Sequence, residues 1–282
     1  MRLNQRKASP VPKATGSWRA ITIAGHRCQL YEPAHPSEHR QAVLYLHELG
    51  EDTFQDRAAF LEQFDLHGFR VMAPKTGPAW WSSRVCPEFD AAQSAESYLR
   101  NHIMPWLARH WACEPGQIGL LGPGMGGQGA LRMAYKHPDT FPVVAAIGPS
   151  IDYQIRIEEG DQILARMYRD AEDARQDTAT LHIHPLHWPR HQWFCSDPTD
   201  FRWYDSVDRL RMKLFSLGVP FECDLHTGGP NPSPKETLAG ASHAKTDCTS
   251  PWDYYERMAA PAIGFLAAAL EQERLRVKTP KR

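Results

Sequence analysis

The stretch LLGPGMGGQGAL, residues 120–131, decides the fold of this 282-residue chain. It begins in an apolar run typical of a buried strand, passes through closely spaced glycines, and continues as a helix would. A strand, a sharp turn and a helix in this order are the context of a nucleophile elbow, written Gly-x-Ser-x-Gly. Here the middle position is Gly124, which has no oxygen that could attack a carbonyl.

Glycine-rich turns between a strand and a helix also bind phosphates, so a nucleotide site is the first alternative. The turn lacks both the G-x-G-x-x-G spacing of dinucleotide-binding folds and a Walker loop ending in Gly-Lys-Ser/Thr. A nucleotide cofactor is therefore not expected, and no other cofactor is indicated.

Further apolar runs on both sides of this stretch predict a parallel sheet. Continuous apolar runs are typical of strands that are covered on both faces, and here they alternate with segments of helical periodicity. The N-terminal segments Ser17–Ile23 and Cys28–Tyr31 flank Gly25 and predict an antiparallel hairpin. The other predicted strands are 42–46, 69–73, 117–121, 141–147, 191–195 and 220–225. The predicted helices are 54–64, a helix capped by Ser94, a helix ending near Lys136, 158–180, 205–217 and 253–274.

The length favours one domain, since no linker divides the middle of the chain. We expect a single domain over residues 17–272, with a small helical insertion at about 155–180. The basic stretches 1–16 and 273–282 are predicted to be solvated tails.

The charge and apolar patterns exclude several classes of partner. With 32 basic and 33 acidic residues the net charge is −1, and no basic stripe suggests nucleic-acid binding. No apolar run approaches the roughly 20 residues needed to span a bilayer, and the N-terminus lacks a secretory signal. The six cysteines show no C-x-x-C spacing and predict reduced thiols in a cytoplasmic protein.

Residues 122–131 resemble the G-x-S-M-G-G-x-G-A-L elbow of the putative-esterase family, which includes esterase D and S-formylglutathione hydrolase. A looser similarity extends from about Ala42 to Leu270. The resemblance implies an α/β-hydrolase fold, with a mostly parallel central sheet, an antiparallel N-terminal hairpin and helices on both faces. It also implies descent from carboxylic ester hydrolases, with Gly124 at the position of the nucleophile.

The catalytic acid and histidine of this family should follow the elbow in that order. By resemblance to the family's G-x-x-D turn, Asp200 is the candidate acid, with Asp197 as an alternative. The two could instead start a turn and cap a helix. The candidate histidine is His243.

The position of that histidine departs from the family's pattern. The family usually has a histidine almost directly before Trp-Asp-Tyr, whereas residues 244–250 and a proline separate His243 from Trp252. Ser250 stands where an ungapped histidine would fall. Either the long loop still delivers His243, or this residue is lost as well, with His226 as a weaker substitute.

The oxyanion hole of this fold uses two backbone N–H groups. One would belong to Met125, and the other to the loop after an earlier strand, at Leu49. Glu48 replaces the glycine of the family's His-Gly segment in that loop. Its carboxylate either opposes a developing oxyanion or points into solvent.

Trp80, Trp81 and Arg84 follow a strand and should lie at the carboxyl edge of the sheet, where ligands bind in open α/β sheets. They suit a substrate pocket with an apolar wall and a cation, but a packed tryptophan and a surface arginine would give the same pattern. Four histidines, His182, His184, His187 and His191, resemble a metal cluster. No cysteine or carboxylate stands at ligand spacing, so we expect no metal site.

These features predict a degenerate esterase that binds a small ester or acyl-like ligand and hydrolyses it slowly or not at all. One alternative is an active ester or thioester hydrolase that uses water activated by His243 and Asp200, or Ser150 or Ser242 as an unorthodox nucleophile. The other is a protein-interaction module whose pocket is unused.

Overall fold

The apolar runs form one eight-stranded sheet in the computed structural model, which describes residues 16–50, 54–228 and 251–278. The strands are β1 Ser17–Ile23, β2 His26–Glu32, β3 Ala42–Tyr45, β4 Arg70–Pro74, β5 Ile118–Pro123, β6 Val143–Ile147, β7 His191–Cys195 and β8 Glu222–Asp224. Each predicted strand is therefore present, with ends that differ by at most two residues.

The sheet is mixed but mostly parallel, as predicted. Its strand order is β1-β2-β4-β3-β5-β6-β7-β8. The β1–β2 hairpin is antiparallel, and β2 pairs with β4 in the antiparallel sense. The strands β4, β3, β5, β6, β7 and β8 are parallel to one another. The carboxyl ends of the parallel strands therefore meet at one edge, and β5 brings Gly124 to the middle of that edge.

Helices cover both faces of the sheet. They are α1 Ala58–His67, α2 Ala95–Tyr98, α3 Met104–Trp111, α4 Gly124–Lys136, α5 Ile155–Glu158, α6 Gln162–Met167, α7 Ala171–Arg175, α8 Tyr204–Leu217, α9 Pro251–Arg257 and α10 Ala259–Lys278. Alternate residues of β5 enter different cores: Leu120 packs with the core of α3, α4 and α8, and Leu121 with the core of α1, α9 and α10. This alternation is the reason why every residue of β5 is apolar and buried.

The segment predicted as one helix over 158–180 is instead three short helices, α5, α6 and α7, followed by a 3-10 turn at Ala179–His182. Gly160 has a φ of +92° and ends the first helix. The Asp161 side chain then caps α6, and the Asp170 side chain caps α7. The sequence prediction was wrong here because the cap residues outweigh the helical charge pattern.

The predicted last helix, 253–274, is divided into α9 and α10, and α10 continues to Lys278. Glu273, which we assigned to a basic tail, is buried and accepts hydrogen bonds from Arg190 at 2.8 and 2.7 Å. This ion pair ties α10 to the residue before β7. Among the described residues, no helix has both the length and the apolar character needed to cross a bilayer.

Candidate functional site

The turn between β5 and α4 is built around two close backbone approaches. Gly124, the first residue of α4, has a φ of +51°, a conformation that side chains disfavour. A Cβ at Gly126 would lie 1.9 Å from the Leu46 carbonyl oxygen, so only glycine fits there. The helix thus starts directly against the backbone that follows β3.

Glu48 and Tyr255 border the space in front of Gly124. A Cβ built on Gly124 would lie 2.7 Å from Glu48 Cγ, 2.9 Å from Glu48 Oε1 and 3.0 Å from Tyr255 Oη. The first two distances are shorter than van der Waals contacts allow. A serine at this position would therefore collide with the glutamate unless Glu48 moved.

Glu48 is placed by a loop that His47 holds in position. The buried His47 ring donates from Nδ1 to the Glu48 carbonyl oxygen at 2.7 Å and accepts at Nε2 from the Thr76 N–H at 3.0 Å. Burial lowers the pKa of His47 to about 3, so the ring is neutral, as this pair of bonds requires. The Glu48 carboxylate also accepts from the Gly50 N–H at 3.2 Å. Of the two alternatives for Glu48, the structure favours the one in which the carboxylate lies in the site.

Tyr255 enters the site from α9 and was not identified from the sequence. A Cβ on Gly148, which follows β6, would lie 3.1 Å from the Tyr255 ring, so glycines at the ends of β5 and β6 make room for this side chain. The residue is 8% exposed. Burial and the nearby carboxylates of Glu48 and Asp200 raise the pKa of its hydroxyl well above the ordinary range, so it remains a neutral phenol.

Asp200 and Asp197 follow β7 at the same edge of the sheet. The half-buried Asp200 accepts from the N–H groups of Arg202 and Trp203 at 3.1 and 3.3 Å, just before α8. Asp197 accepts from the Thr199 N–H and hydroxyl at 2.8 and 2.7 Å. Both side chains therefore stabilise the turns before α8, but neither caps that helix, whose N-cap residue is Trp203. The Asp200 carboxylate also helps to raise the pKa of the Tyr255 hydroxyl.

The two residues proposed to supply an oxyanion hole, Met125 and Leu49, directly follow Gly124 and Glu48 in the chain. Met125 is in the first turn of α4, where N–H groups have no partner within the helix. Leu49 lines a cavity of about 480 Å³ together with Gly50, Gly77, Pro78, Arg156, Asp161 and Ile163. The cavity lies between the Glu48 loop, the segment after β4 and the short helices α5 and α6.

The residues proposed as a substrate pocket have structural contacts. Trp81 is buried and donates from its indole N–H to the His47 carbonyl oxygen at 3.1 Å. It packs so closely on α4 that a Cβ on Gly129 would lie 2.4 Å from the Trp81 Cβ. Trp80 stacks on Tyr153 at 4.8 Å between ring centroids. Arg84 pairs with Asp173 at 2.9 Å on the surface. These contacts favour packing and surface pairing over substrate binding for all three residues.

Two turns further along α4 lies a buried ionic cluster centred on Arg132, which is fully buried. Its guanidinium donates to Glu96 at 2.6 Å and to Asp177 at 2.5 and 2.9 Å. Lys136 and His137 also contact Glu96, each at 2.8 Å. This cluster joins α4 to α2 and to the segment after α7.

Several other candidates lie away from the site or outside the described residues. His243, Ser242 and Ser250 fall within 229–250, which the structure does not describe. His226 is exposed beyond β8. Ser150 is buried behind the turn, where its N–H donates to the Gly124 carbonyl oxygen at 3.0 Å.

The four histidines that resemble a metal cluster contact different groups. His182 contacts Asp177, His187 contacts Asp139, and His191 contacts Glu273, each at 3.1 Å. His184 Nδ1 accepts from the Leu186 N–H. Within the described residues, no group of three or more His, Cys, Asp or Glu side chains could hold a metal ion.

Comparisons with known proteins agree with this architecture. The profile of the family described as Putative esterase matches residues 26–214. The fold is similar to FphF, a fluorophosphonate-binding serine hydrolase of Staphylococcus aureus, with a TM-score of 0.65 and 13% identity over 91% of this chain and 99% of that one. It is also similar to the S-formylglutathione hydrolase FrmB of the same organism, with a TM-score of 0.59 and 14% identity over 92% and 100% of the two chains. An S-formylglutathione hydrolase of Agrobacterium tumefaciens gives a TM-score of 0.58 and 15% identity over 94% and 99%. The α/β-hydrolase fold predicted from the sequence is thereby confirmed.

Proposed function

Because the chain belongs to the putative-esterase family, we propose that it keeps the fold of an ester hydrolase but lacks serine-type hydrolysis. Its site would bind a small ester or acyl-like ligand and release it unchanged or after very slow turnover. The observation that carries this proposal is that α4 begins at Gly124, which has no side chain, with Glu48 Cγ only 2.7 Å from the position that a Cβ would take.

Two departures from the family's pattern are sterically linked in this site. Where the family's motifs have a serine and a glycine, this chain has Gly124 and Glu48. The turn thus has a smaller residue than the family's motif, and the neighbouring loop has a larger one. Glu48 Cγ lies 2.7 Å from the position that the Cβ of a serine at 124 would take. The site therefore differs from the family's pattern in two ways: it lacks the serine hydroxyl, and it has the Glu48 side chain beside the position of that serine.

The chemical consequence follows from the role of the serine. Acyl transfer needs an oxygen that attacks the carbonyl and a base that takes its proton. Removing such a nucleophile lowers turnover by roughly 10⁶-fold, while backbone donors and binding can still give ~10³-fold acceleration over water. The N–H groups at the start of α4 are still present, so binding of a carbonyl group is retained more easily than its hydrolysis.

The cavity beside Leu49 supports a ligand of this class. Its lining includes the apolar residues Leu49, Pro78 and Ile163, with Arg156 and Asp161 paired at 2.9 Å. Pockets for small molecules are mostly apolar with a few polar groups that orient the ligand. A short acyl or alkyl chain fits this description.

A four-variant comparison tests the proposal: wild type, Gly124→Ser, Glu48→Gly and the double variant, each assayed with 4-nitrophenyl butyrate and a fluorophosphonate probe. Wild type and Glu48→Gly should show neither turnover above ~10³-fold over water nor covalent labelling. Gly124→Ser should be labelled weakly, and the double variant more strongly, because only there does the serine have both its hydroxyl and its space.

Covalent labelling of the wild-type protein would overturn the proposal, because it would reveal a nucleophile elsewhere. Ser150→Ala and Ser242→Ala would then identify the serine involved. Both variants also serve as controls, since neither substitution should change the behaviour of wild type.

A second candidate is direct hydrolysis by activated water, and the position of Glu48 favours it over an unorthodox serine. A carboxylate beside the space in front of Gly124 could take a proton from water, as could His243 paired with Asp200. General-base help of this kind is worth only ~10²–10⁴-fold. Wild-type turnover that is lost in Glu48→Gln or His243→Ala, without covalent labelling, would support this candidate.

We also propose a reducing compartment, the cytoplasm, for this protein. Cys28, Cys86, Cys113, Cys195 and Cys223 are all free thiols. Protein isolated without reductant and then denatured should react with a thiol reagent at every cysteine. A disulfide found by mass spectrometry under these conditions would contradict the assignment.

A further inference from the structure

A hydroxyl does reach the space in front of Gly124, but it comes from a different part of the chain. Tyr255 Oη lies 3.0 Å from the position of a Cβ on Gly124. The residue is more than nine-tenths buried. Among the described residues, no hydrogen bond is made to this hydroxyl. Unlike the hydroxyl oxygen of Tyr254, that of Tyr255 is not a fully enclosed atom without a partner, so it is open to a ligand atom in the space in front of Gly124.

We propose that the Tyr255 hydroxyl donates a hydrogen bond to the carbonyl oxygen of the bound ligand, and that Tyr255 makes the site select neutral carbonyl compounds. Helix α9 would thus supply the polar contact that the turn at Gly124 has lost. The inference rests on the proposed function, because it names a contact of the ligand in that same site.

The environment of Tyr255 makes its hydroxyl a donor and not a nucleophile. Burial and the carboxylates of Glu48 and Asp200 raise the pKa of Tyr255. The hydroxyl therefore keeps its proton near neutral pH. A neutral phenol can donate to a carbonyl oxygen without forming a bond to the carbonyl carbon.

The same environment discriminates between a neutral ester and a carboxylate. The negative field of Glu48 and Asp200 that acts on the Tyr255 hydroxyl also acts on a ligand atom held by that hydroxyl. Like charges at close range in a partly buried site disfavour binding. An ester, a lactone or an amide is accepted on this ground, whereas a free carboxylate anion is excluded.

Tyr254 provides a matched control. It is the preceding residue of α9, it is 7% exposed, and its side chain is the same. Its hydroxyl lies elsewhere: after burial, the Cys195 thiol is the main influence that raises its pKa. Removing this hydroxyl tests the loss of a buried tyrosine oxygen without touching the space in front of Gly124.

The experiment is a titration of wild type, Tyr255→Phe and Tyr254→Phe with ethyl butyrate and with butyrate, followed by ligand-observed NMR. Loss of one hydrogen bond between neutral groups should weaken ethyl butyrate binding about three- to tenfold in Tyr255→Phe. Tyr254→Phe should change it by less than about twofold. Butyrate at pH 7.5 should bind wild type at least roughly tenfold more weakly than the ester.

The outcomes separate this inference from the function on which it rests. If wild type and Tyr255→Phe bind ethyl butyrate equally well, or if butyrate binds as tightly as the ester, the inference is overturned while ligand binding stands. If wild type binds no ester at all, both fall. A melting curve checks each variant. If Tyr255→Phe does not fold, the ¹³C shift of the ester carbonyl on wild type decides, because a donated hydrogen bond moves it downfield and an unchanged shift refutes the contact.

Discussion

The two ends of helix α4 place different requirements on their residues. At its first residue, Gly124, the helix has no side chain, and Glu48 and Tyr255 from other segments border the space in front of it. Near its other end, Arg132 is buried among carboxylates and donates five hydrogen bonds of 2.5–3.0 Å. The same helix thus carries an altered reaction site and a complete structural cluster. Stability and chemistry are separable here over eight residues.

The physical reason is that a buried charge needs a partner, whereas a position without a charged group does not. A buried guanidinium must be paired, because an ion without a partner in the interior costs several kcal/mol. A neutral serine hydroxyl does not need such a partner, because its removal takes away a polar atom and leaves no charge uncompensated. The absence of a hydroxyl at position 124 therefore leaves no buried charge without a partner, whereas removal of the Arg132 guanidinium leaves Glu96 and Asp177 without their shared cation.

The largest effect should come from breaking the Arg132 side of this comparison. Arg132→Met leaves Glu96 and Asp177 buried without their shared cation, and we expect a loss of about 3–5 kcal/mol in the free energy of unfolding. Urea denaturation measures it. Lys136→Met is the control, because Lys136 also contacts Glu96 but is partly exposed, and it should cost less than about 1 kcal/mol. Equal losses in the two variants would show that the cluster is not specific to Arg132.

The next largest effect should be the loss of stability at low pH, because protonation of the carboxylates around Arg132 weakens this cluster. Burial opposes ionisation of Asp177, but hydrogen bonds from His182 and Arg132 and the Arg132 charge lower its pKa to about 2. A lowered pKa in the folded state means that this stability is complete above the ordinary value of 3.8 and is lost as pH falls towards 2. The pKa of Glu96 is lowered as well, against burial, by His137 and Arg132.

We therefore expect the free energy of unfolding to fall by about 2 kcal/mol or more between pH 5 and pH 2. Urea titrations at several pH values would measure this. Asp177→Asn should flatten the dependence, whereas Asp139→Asn, which removes a carboxylate with an 82% exposed side chain, should leave it unchanged. A wild-type stability that is constant over this range would contradict the role of the cluster.

The steric conflict between position 124 and Glu48 can be tested by adding a side chain at Gly124. Gly124→Ser adds a Cβ at a positive φ and within 2.7 Å of Glu48 Cγ, so we expect a loss of about 1–3 kcal/mol in the free energy of unfolding. Glu48→Gly in the same chain should recover the steric part. The double-mutant cycle should give a coupling of about 0.5–3 kcal/mol. Additive effects would mean that Glu48 moves aside without cost, and the steric link between the two positions would fail.

Much of the fold and part of the site could be predicted from local patterns. The apolar run before Gly122 and the helix after Gly127 predicted β5 and α4, because both elements are buried on all sides. The resemblance led to Gly124 and to the loop with Glu48. The caps at Asp161 and Asp170 were present in the sequence, but the charge pattern of 158–180 favoured one helix.

The contents of the site could not be predicted in the same way. Glu48, Gly124 and Tyr255 are far apart in the sequence, and their contact depends on side-chain directions that no local periodicity encodes. Tyr255 directly follows Trp252-Asp253-Tyr254, the segment before which the resemblance predicts a histidine. The only available signal was the pair of glycines, Gly124 and Gly148, at the ends of neighbouring strands, which indicates room for a bulky group.

The smallest effect should be found at Arg84, which lies on neither side of this comparison. Its side chain is 47% exposed, pairs with Asp173 and lies 5.5 Å from the centroid of the Tyr168 ring. An exposed ion pair is worth less than about 1 kcal/mol, so Arg84→Ala should change the free energy of unfolding by no more than this. Ethyl butyrate binding should change by less than about twofold, because the guanidinium is already engaged on the surface. Arg175→Ala, which removes another exposed pair, with Glu172, is the matched control. A loss of ester binding in Arg84→Ala but not in Arg175→Ala would return Arg84 to the ligand site that its place after β4 suggested.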